Sequence, residues 1–541
     1  MKYFTKDKHV IISSILISFA VAVFSLILMQ NHNSDSNIFY GDSNSRLVQS
    51  ALLLEKSSYP QIFKELVWLP LPYLIVIPFC LSETLFHSGF AASIPNIILY
   101  LVFVFFISKS NLMILRHRLS ALALTLIISL NPNLIYLSFS AMSELSALSA
   151  LAGFFYFLFK QSDLPKASIF LALATLARYE AWLVCIIFVG LIIIYRIKSS
   201  LNNYQAIGII LISISGILMW LIFQKIVNGN WFYFLNAEYY STSWQSKFSR
   251  SGDIATLNLP LTLYLFVKSY WEMFGISVIL VIIFPIIKRL KYFKNIGSLH
   301  HSKENNNLDN SNTTGISTES NEISFKSEIP SIPVRMNTYI KWLFILLIPV
   351  FNFLSIFLGL TEMSVYGLNF RYVALAIISI NIIFGLEFSK IKDGKKQQKL
   401  LLNLFLITAL QYISMIIIPT ENLATFKEAT SGYFSDRLSY TRECSQYLKQ
   451  FQSDDILMLT GTGYNHRLIK FSGLGISNFR LVSNQESDIS GINNKLIVFN
   501  KFGTRDATLF LTIPERLLKI SANKYSISFE NKYYLILKKN S

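Results

Sequence analysis

Trp68-Leu69-Pro70-Leu71-Pro72-Tyr73-Leu74-Ile75-Val76-Ile77-Pro78-Phe79 is the stretch whose reading decides the fold. It is apolar, and counting it as a membrane span would reverse the side of every loop that follows. A spanning helix needs roughly 20 apolar residues. This run is shorter and carries three prolines, Pro70, Pro72 and Pro78. Both features fit a segment lying at the membrane surface. A crossing here would also put Lys109, Arg116 and Arg118 outside, against the retention of basic residues on the cytoplasmic side.

Outward from that segment, the chain reads as an all-α polytopic membrane protein with about eleven spans. They fall near 10–29, 90–108, 119–131, 145–159, 166–177, 182–196, 206–224, 270–287, 339–359, 372–389 and 400–418. Of the 541 residues, 52% are hydrophobic and 15% charged, with 44 Phe and a mean hydropathy of +0.46. That is too little charge for a soluble exterior. The net charge of +17 does not mark a nucleic-acid binder, because the basic residues sit in short clusters beside apolar runs. Lys2, Lys6 and Lys8, then Lys160 and Lys166, Arg196 and Lys198, Lys288 and Arg289, and Lys390 to Lys399 all fall on one side. The bias predicts a multi-pass cell-membrane protein with a cytoplasmic N-terminus and an extracytoplasmic C-terminus. No cleavable signal peptide is evident, and Cys80, Cys185 and Cys444 form neither a disulfide framework nor a metal-ligand spacing.

The spans divide the chain. Residues 1–295 form an N-terminal transmembrane region, within which 30–86 make one large outer loop. The loop Val227 to Tyr264 is rich in aromatics and reads equally as an interfacial belt or a cleft wall. Residues 296–335, dominated by Asn, Ser, Thr and Glu, read as a disordered cytoplasmic linker. Its Asn312-Thr313-Thr314 triplet would lie on the wrong side for glycosylation. Residues 336–419 carry the last spans. Residues 420–541 have the texture of a small soluble α/β domain: a helix at Asp436–Phe451, strands at 456–459 and 496–499, a hairpin across Glu530-Asn531-Lys532, and a short helix opening at Pro514. Gly461-Thr462-Gly463 is half of a dinucleotide fingerprint and reads as a plain turn.

Four outer connections hold the ionisable residues of interest. Tyr40-Gly41-Asp42-Ser43-Asn44-Ser45-Arg46 lies in the first, where Asp42 and Arg46 have the spacing of a helical ion pair. Met142-Ser143-Glu144 opens an apolar helix, where Glu144 is also a favourable partner of the helix dipole. Arg178-Tyr179-Glu180-Ala181-Trp182 puts two opposite charges between apolar helices, either as a mutual pair or facing a polar cavity. Phe370-Arg371-Tyr372 starts a late span, where Arg371 either snorkels or faces a ligand. Two carboxylates, Asp42 and Glu144, can share a divalent cation or a general-base role. Arginines bind phosphate bidentately. Together they suit a lipid phosphate whose head group faces outward.

In this order and placement the motifs resemble the GT-C glycosyltransferases, over about residues 1–420. The likeness is to the family 39-like group of protein O-mannosyltransferases, lipid A aminoarabinose transferases and lipopolysaccharide galacturonosyltransferases. Trp68-Leu69-Pro70-Leu71-Pro72 and Asn131-Pro132 belong to the same pattern. The resemblance implies Asp42 as catalytic base, Glu144 as second acid or metal ligand, and Arg371 facing the donor phosphate. Arg178, Glu180 and Arg46 complete the expected donor site. Many relatives carry two adjacent acids in the first loop; here Asp42 is followed by Ser43, which puts metal dependence in doubt.

The implied activity is transfer of a sugar from a polyprenyl-phosphate donor to a hydroxyl on a lipid, glycan or protein acceptor, with inversion and no nucleotide cofactor. Two rivals remain. A transporter or lipid flippase should show repeated halves and broken helices, and no internal repeat is visible. A membrane sensor leaves the outer acids unexplained.

Overall fold

A computed structural model describes residues 2–32, 37, 41–55, 63, 66–115, 117–160, 163–197, 201–236, 255–275, 338–360, 370–417, 435–451, 456–459, 463–482, 495–500 and 524–540. The expected linker at 296–335, residues 237–254 of the aromatic loop, the helix at Pro514 and the glycine turn at 461–462 lie outside these residues.

Helices dominate. In chain order they are α1 Lys2–His32, α2 Gly41–Leu52, α3 Leu71–Cys80, α4 Glu83–Ser88, α5 Phe90–Ile114, α6 Arg118–Ser129, α7 Pro132–Leu137, α8 Glu144–Phe159 and α9 Leu164–Thr175. They continue as α10 Glu180–Ile197, α11 Asn203–Asn228, α12 Leu259–Phe274, α13 Thr338–Phe357, α14 Ala376–Ser389, α15 Gly394–Ile417, α16 Ser435–Leu448 and α17 Gly463–Ser472. Among the described residues, four helices are long and apolar enough to cross a membrane: Asp7–Asn31, Phe90–Ile114, Glu180–Ile197 and Asn203–Asn228. Shorter apolar helices, α3, α6, α8, α9 and α14 among them, accompany them. The chain is a membrane-embedded helical protein.

The proline-rich stretch forms α3. Its 10 residues rise about 15 Å, half the hydrocarbon thickness. Pro72 sits in the first turn, where a missing N–H costs nothing. The chain then turns through α4, capped by the Ser82 hydroxyl and closed by Gly89 at φ 79°, before α5 begins. Close helix contact is made by small residues: a Cβ on Gly153 of α8 would meet the Phe170 ring at 2.5 Å, and one on Gly216 of α11 would meet Ala172 O at 2.6 Å.

Two points beside the sequence reading have local causes. The span expected near 119–131 corresponds to α6, and Pro132, which cannot donate into a continuing helix, opens a separate short helix, α7. The Asn131 side chain caps α7 by accepting the Asn133 and Leu134 N–H groups. The span expected from 270 belongs to a helix that starts at Leu259, where the Asn258 side chain accepts the Leu261 N–H and Pro260 occupies the first turn. Beyond Gly275 this segment lies outside the described residues.

The C-terminal part holds a five-stranded sheet of order β2-β1-β3-β5-β4. The strands are β1 Ile456–Leu459, β2 Phe479–Val482, β3 Leu496–Asn500, β4 Tyr525–Glu530 and β5 Tyr534–Lys539. β1 pairs in parallel with β2 and β3, and β5 runs antiparallel to both β3 and β4. The parallel β1–β2 pair needs a crossover, and α17 supplies it. β2 and α17 were not anticipated from the sequence. The core of this sheet is continuous with that of α2, α3 and α4: Leu47, Val48, Tyr73, Phe86, Leu468, Met458 and Tyr534 belong to one buried cluster.

Candidate functional site

The six residues singled out from four distant loops form one polar layer. α2 brings Asp42 and Arg46, the N-terminus of α8 brings Glu144, the α9–α10 turn brings Arg178 and Glu180, and a short 3-10 turn at Phe370–Val373 brings Arg371. Arg371 Nη2 donates to Asp42 Oδ2 at 2.7 Å, across 329 residues of chain. The Asp42 side chain is 40% exposed, and its partner only 10%.

Arg178 is held from two sides. Its Nη1 donates to Glu144 Oε1 at 2.7 Å and to Ser143 Oγ at 3.2 Å. Its Nε and Nη2 meet Glu180 Oε1 at 3.0 and 2.7 Å. Glu144 is 1% exposed and Glu180 7%. Arg178 therefore pairs with both acids, and the simple mutual pair with Glu180 is only half of the arrangement.

Arg46 does not pair with Asp42, despite the helical spacing. Its Nη1 donates to the Ala141 carbonyl. Its guanidinium lies 5.0 Å from the Trp68 ring centre and 5.7 Å from that of Tyr73, a cation–π arrangement. Tyr73 is itself steered by its hydroxyl, which donates to Gln49 Oε1 at 2.9 Å. The Ala141 N–H in turn donates to Ser43 Oγ at 2.8 Å. The proline-rich segment thus does more than lie beside the site: it supplies the aromatic walls around Arg46.

The electrostatics follow from this placement. Desolvation pushes the Asp42 carboxyl upward, but the charge and hydrogen bond of Arg371, with Arg46 and Arg178 behind, hold it below the usual carboxylate range. Burial disfavours the Arg178 cation, and Glu180 and Glu144 more than reverse this. Burial lowers Arg46, whose nearest relief comes from Tyr73, Glu144 and Asp42. Among the described residues, Glu144 Oε2 and Arg46 Nε find no hydrogen-bond partner. A cavity beside Arg46 is lined by Asn96, Ser146, Met142, Ile75 and Val76 as well.

A divalent cation does not fit this donor set. Asp42 and Glu144 each already hold a guanidinium, and three arginines surround the two acids. A dication would have to displace an arginine and then sit beside the remaining ones. Among the described residues, no three His, Cys, Asp or Glu side chains converge on a common point.

Trp68, Tyr73, Ser43 and the Ala141 carbonyl are the members that sequence reasoning did not assign. Trp68 and Tyr73 were visible only as an apolar surface segment. A backbone carbonyl leaves no trace in a sequence. No protein-family model matches the chain, and no curated protein does either.

Proposed function

We propose that this chain is a glycosyltransferase of GT-C type, passing a sugar from a polyprenyl-phosphate donor to an acceptor hydroxyl at the outer face of the cell membrane. The observation that carries this reading is the Asp42–Arg371 pair. A partly exposed carboxylate and a buried guanidinium meet at 2.7 Å in a layer that holds two further arginines. A base and a phosphate ligand are the two groups that the transfer requires.

In this reaction the acceptor hydroxyl gives its proton to Asp42 as its oxygen bonds to the anomeric carbon. The bond from that carbon to the phosphate oxygen breaks on the opposite face, so configuration inverts, and polyprenyl phosphate leaves with the electron pair. The lowered Asp42 pKa keeps the base ionised at neutral pH. Arg371, bound to Asp42 Oδ2, spans base and phosphate and fixes one against the other. Arg178, engaged on both sides, adds fixed positive charge where the leaving phosphate gains its own. Glu144 acts as the anchor of Arg178. No step needs a metal ion or a nucleotide.

The test is turnover of a polyprenyl-phosphate sugar by the purified protein in nanodiscs, with Asp42→Asn as control. A general base contributes about a hundredfold or more. Asp42→Asn turning over like the wild type would remove the assignment.

The transporter reading keeps one observation in its favour. Glu272 is buried, its Oε2 lacks a partner, and it joins no ion pair among the described residues. Its backbone carbonyl accepts from Asn133 Nδ2 at 3.2 Å, beside the Asn131-Pro132 helix break. Broken helices and buried acids are features of transport sites. Flipping or uptake by proteoliposomes that survives Asp42→Asn and is lost in Glu272→Gln would favour that reading.

A further inference from the structure

α2 carries the base and one arginine, yet by composition it is a poor candidate for burial: Ser43, Asn44, Ser45, Gln49 and Ser50 make up much of it. Nevertheless every residue from Ser43 to Leu52 is buried. One side is covered by α3, where Tyr73 meets Gln49 and the Cys80 thiol donates to the Leu47 carbonyl at 3.8 Å. Ala141 meets Ser43 and Arg46, and a large part of the remaining cover comes from the other end of the chain, because α17 packs directly on α2.

α17 is itself enclosed. His466, Arg467, Leu468, Ile469 and Lys470 are consecutive and all buried. Five consecutive positions go round a whole helix, so α17 is covered on every side, chiefly by α16 and α2. Leu468 and Ile469 share a buried cluster with Leu47, Val48, Ala51 and Leu52 of α2. A polar tie closes the arrangement: His87 Nδ1, on α4, lies 2.9 Å from the Lys470 carbonyl. A carbonyl only accepts, so His87 donates there.

We propose that α17 is a positioning element for the site, clamping α2 against α3 so that Asp42 and Arg46 stay in register with Arg371 and Arg178. The C-terminal sheet is then a necessary half of the site, although it contributes no group that touches substrate. The effect on turnover rests on the glycosyl-transfer reading; the clamping of α2 does not.

Full-length protein in nanodiscs carries its own reporter, since Cys80, at the end of α3, is buried against α2 and is exposed when α2 and α3 separate. The experiment measures N-ethylmaleimide labelling of Cys80, resolved by peptide mass, together with turnover, in wild type, His87→Ala, His87→Asn and Leu468→Ala. Loss of one hydrogen bond of about 1 kcal/mol predicts roughly fivefold faster labelling in His87→Ala, with turnover reduced similarly and the donor KM unchanged. His87→Asn, which keeps a donor near the Nδ1 position, restores both. Leu468→Ala, on α17 itself, gives the same pair of effects. Unchanged Cys80 labelling in His87→Ala and Leu468→Ala overturns the clamp. Faster labelling with unchanged turnover overturns the positioning role. Should wild type transfer no sugar, the glycosyl-transfer reading fails, while Cys80 labelling still decides whether α17 holds α2.

Discussion

The two ion-pair groups of the site are built in opposite ways. Arg178 is enclosed by Glu144 and Glu180, both at least nine-tenths buried, and nearly every N–H it has is used. Arg371 pairs with Asp42, whose carboxylate side chain is 40% exposed. The first group is closed and ties α8 to the α9–α10 turn; the second has a part-exposed carboxylate. A buried pair broken on one side leaves an uncompensated charge, whereas a part-exposed pair is screened and contributes little to stability. The same residue types therefore take different work from their burial alone.

Four substitutions or conditions sharpen this contrast. The largest effect falls on the closed group. Glu144→Ala leaves Arg178 with one carboxylate in a dry site and is expected to cost about 3–5 kcal/mol, read as a lowered unfolding midpoint of the solubilised protein. A change under about 1 kcal/mol would mean that Glu180 alone satisfies Arg178.

Acid acts next, and on the support of the open group. His466 of α17 is buried, with no partner for either ring nitrogen among the described residues, and burial lowers its pKa to about 4. Its pKa in the unfolded chain is about 6.5. The unfolded state therefore takes up a proton between these values and the folded state does not. Stability from this group is complete above about pH 6.5 and is lost as pH falls towards 4, by about 3 kcal/mol. His466→Leu should flatten that slope in pH-dependent unfolding; an unchanged slope would place the cause elsewhere.

Asp42→Asn reverses the pattern of Glu144. Turnover should drop about a hundredfold, while the unfolding midpoint shifts by no more than about 1 kcal/mol implies. A large loss of stability would place Asp42 with the closed group. The smallest effect is expected for Arg371→Lys, which keeps the charge and loses the planar fork. The donor KM should rise about tenfold with the acceptor KM unchanged, measured by varying each substrate in turn. Equal changes in both would assign Arg371 to general folding.

Much of this architecture is legible in the sequence, for reasons that particular residues make plain. The apolar runs at Val10–Met29 and Ala206–Gln224 become helices because a continuous apolar stretch has few other folds open to it. Leu496-Ile497-Val498-Phe499 becomes the central part of β3 for the comparable reason that a short β-branched and aromatic run bounded by polar residues packs well in a sheet. Asn131-Pro132 announces a helix start, yet its role as a lock on α12 depends on the Met273 carbonyl, which Asn131 Nδ2 reaches at 2.8 Å. α17 was missed because its composition is polar, and its burial comes from neighbours far away in the chain.

The sequence by itself determined the helical, membrane-embedded character, the shortness of the Trp68–Phe79 segment and the candidate residues Asp42, Arg46, Glu144, Arg178, Glu180 and Arg371. Those properties depend on local composition and on the length of apolar runs, which are written within each segment. Tertiary structure alone decided who pairs with whom. Arg46 turns to Trp68 and Tyr73 instead of Asp42, Asp42 finds Arg371 across 329 residues, and a C-terminal helix packs on the one that bears Asp42. A side chain's partner is fixed by what packing brings within about 3 Å of it, and sequence spacing sets that distance only inside a single helix or strand.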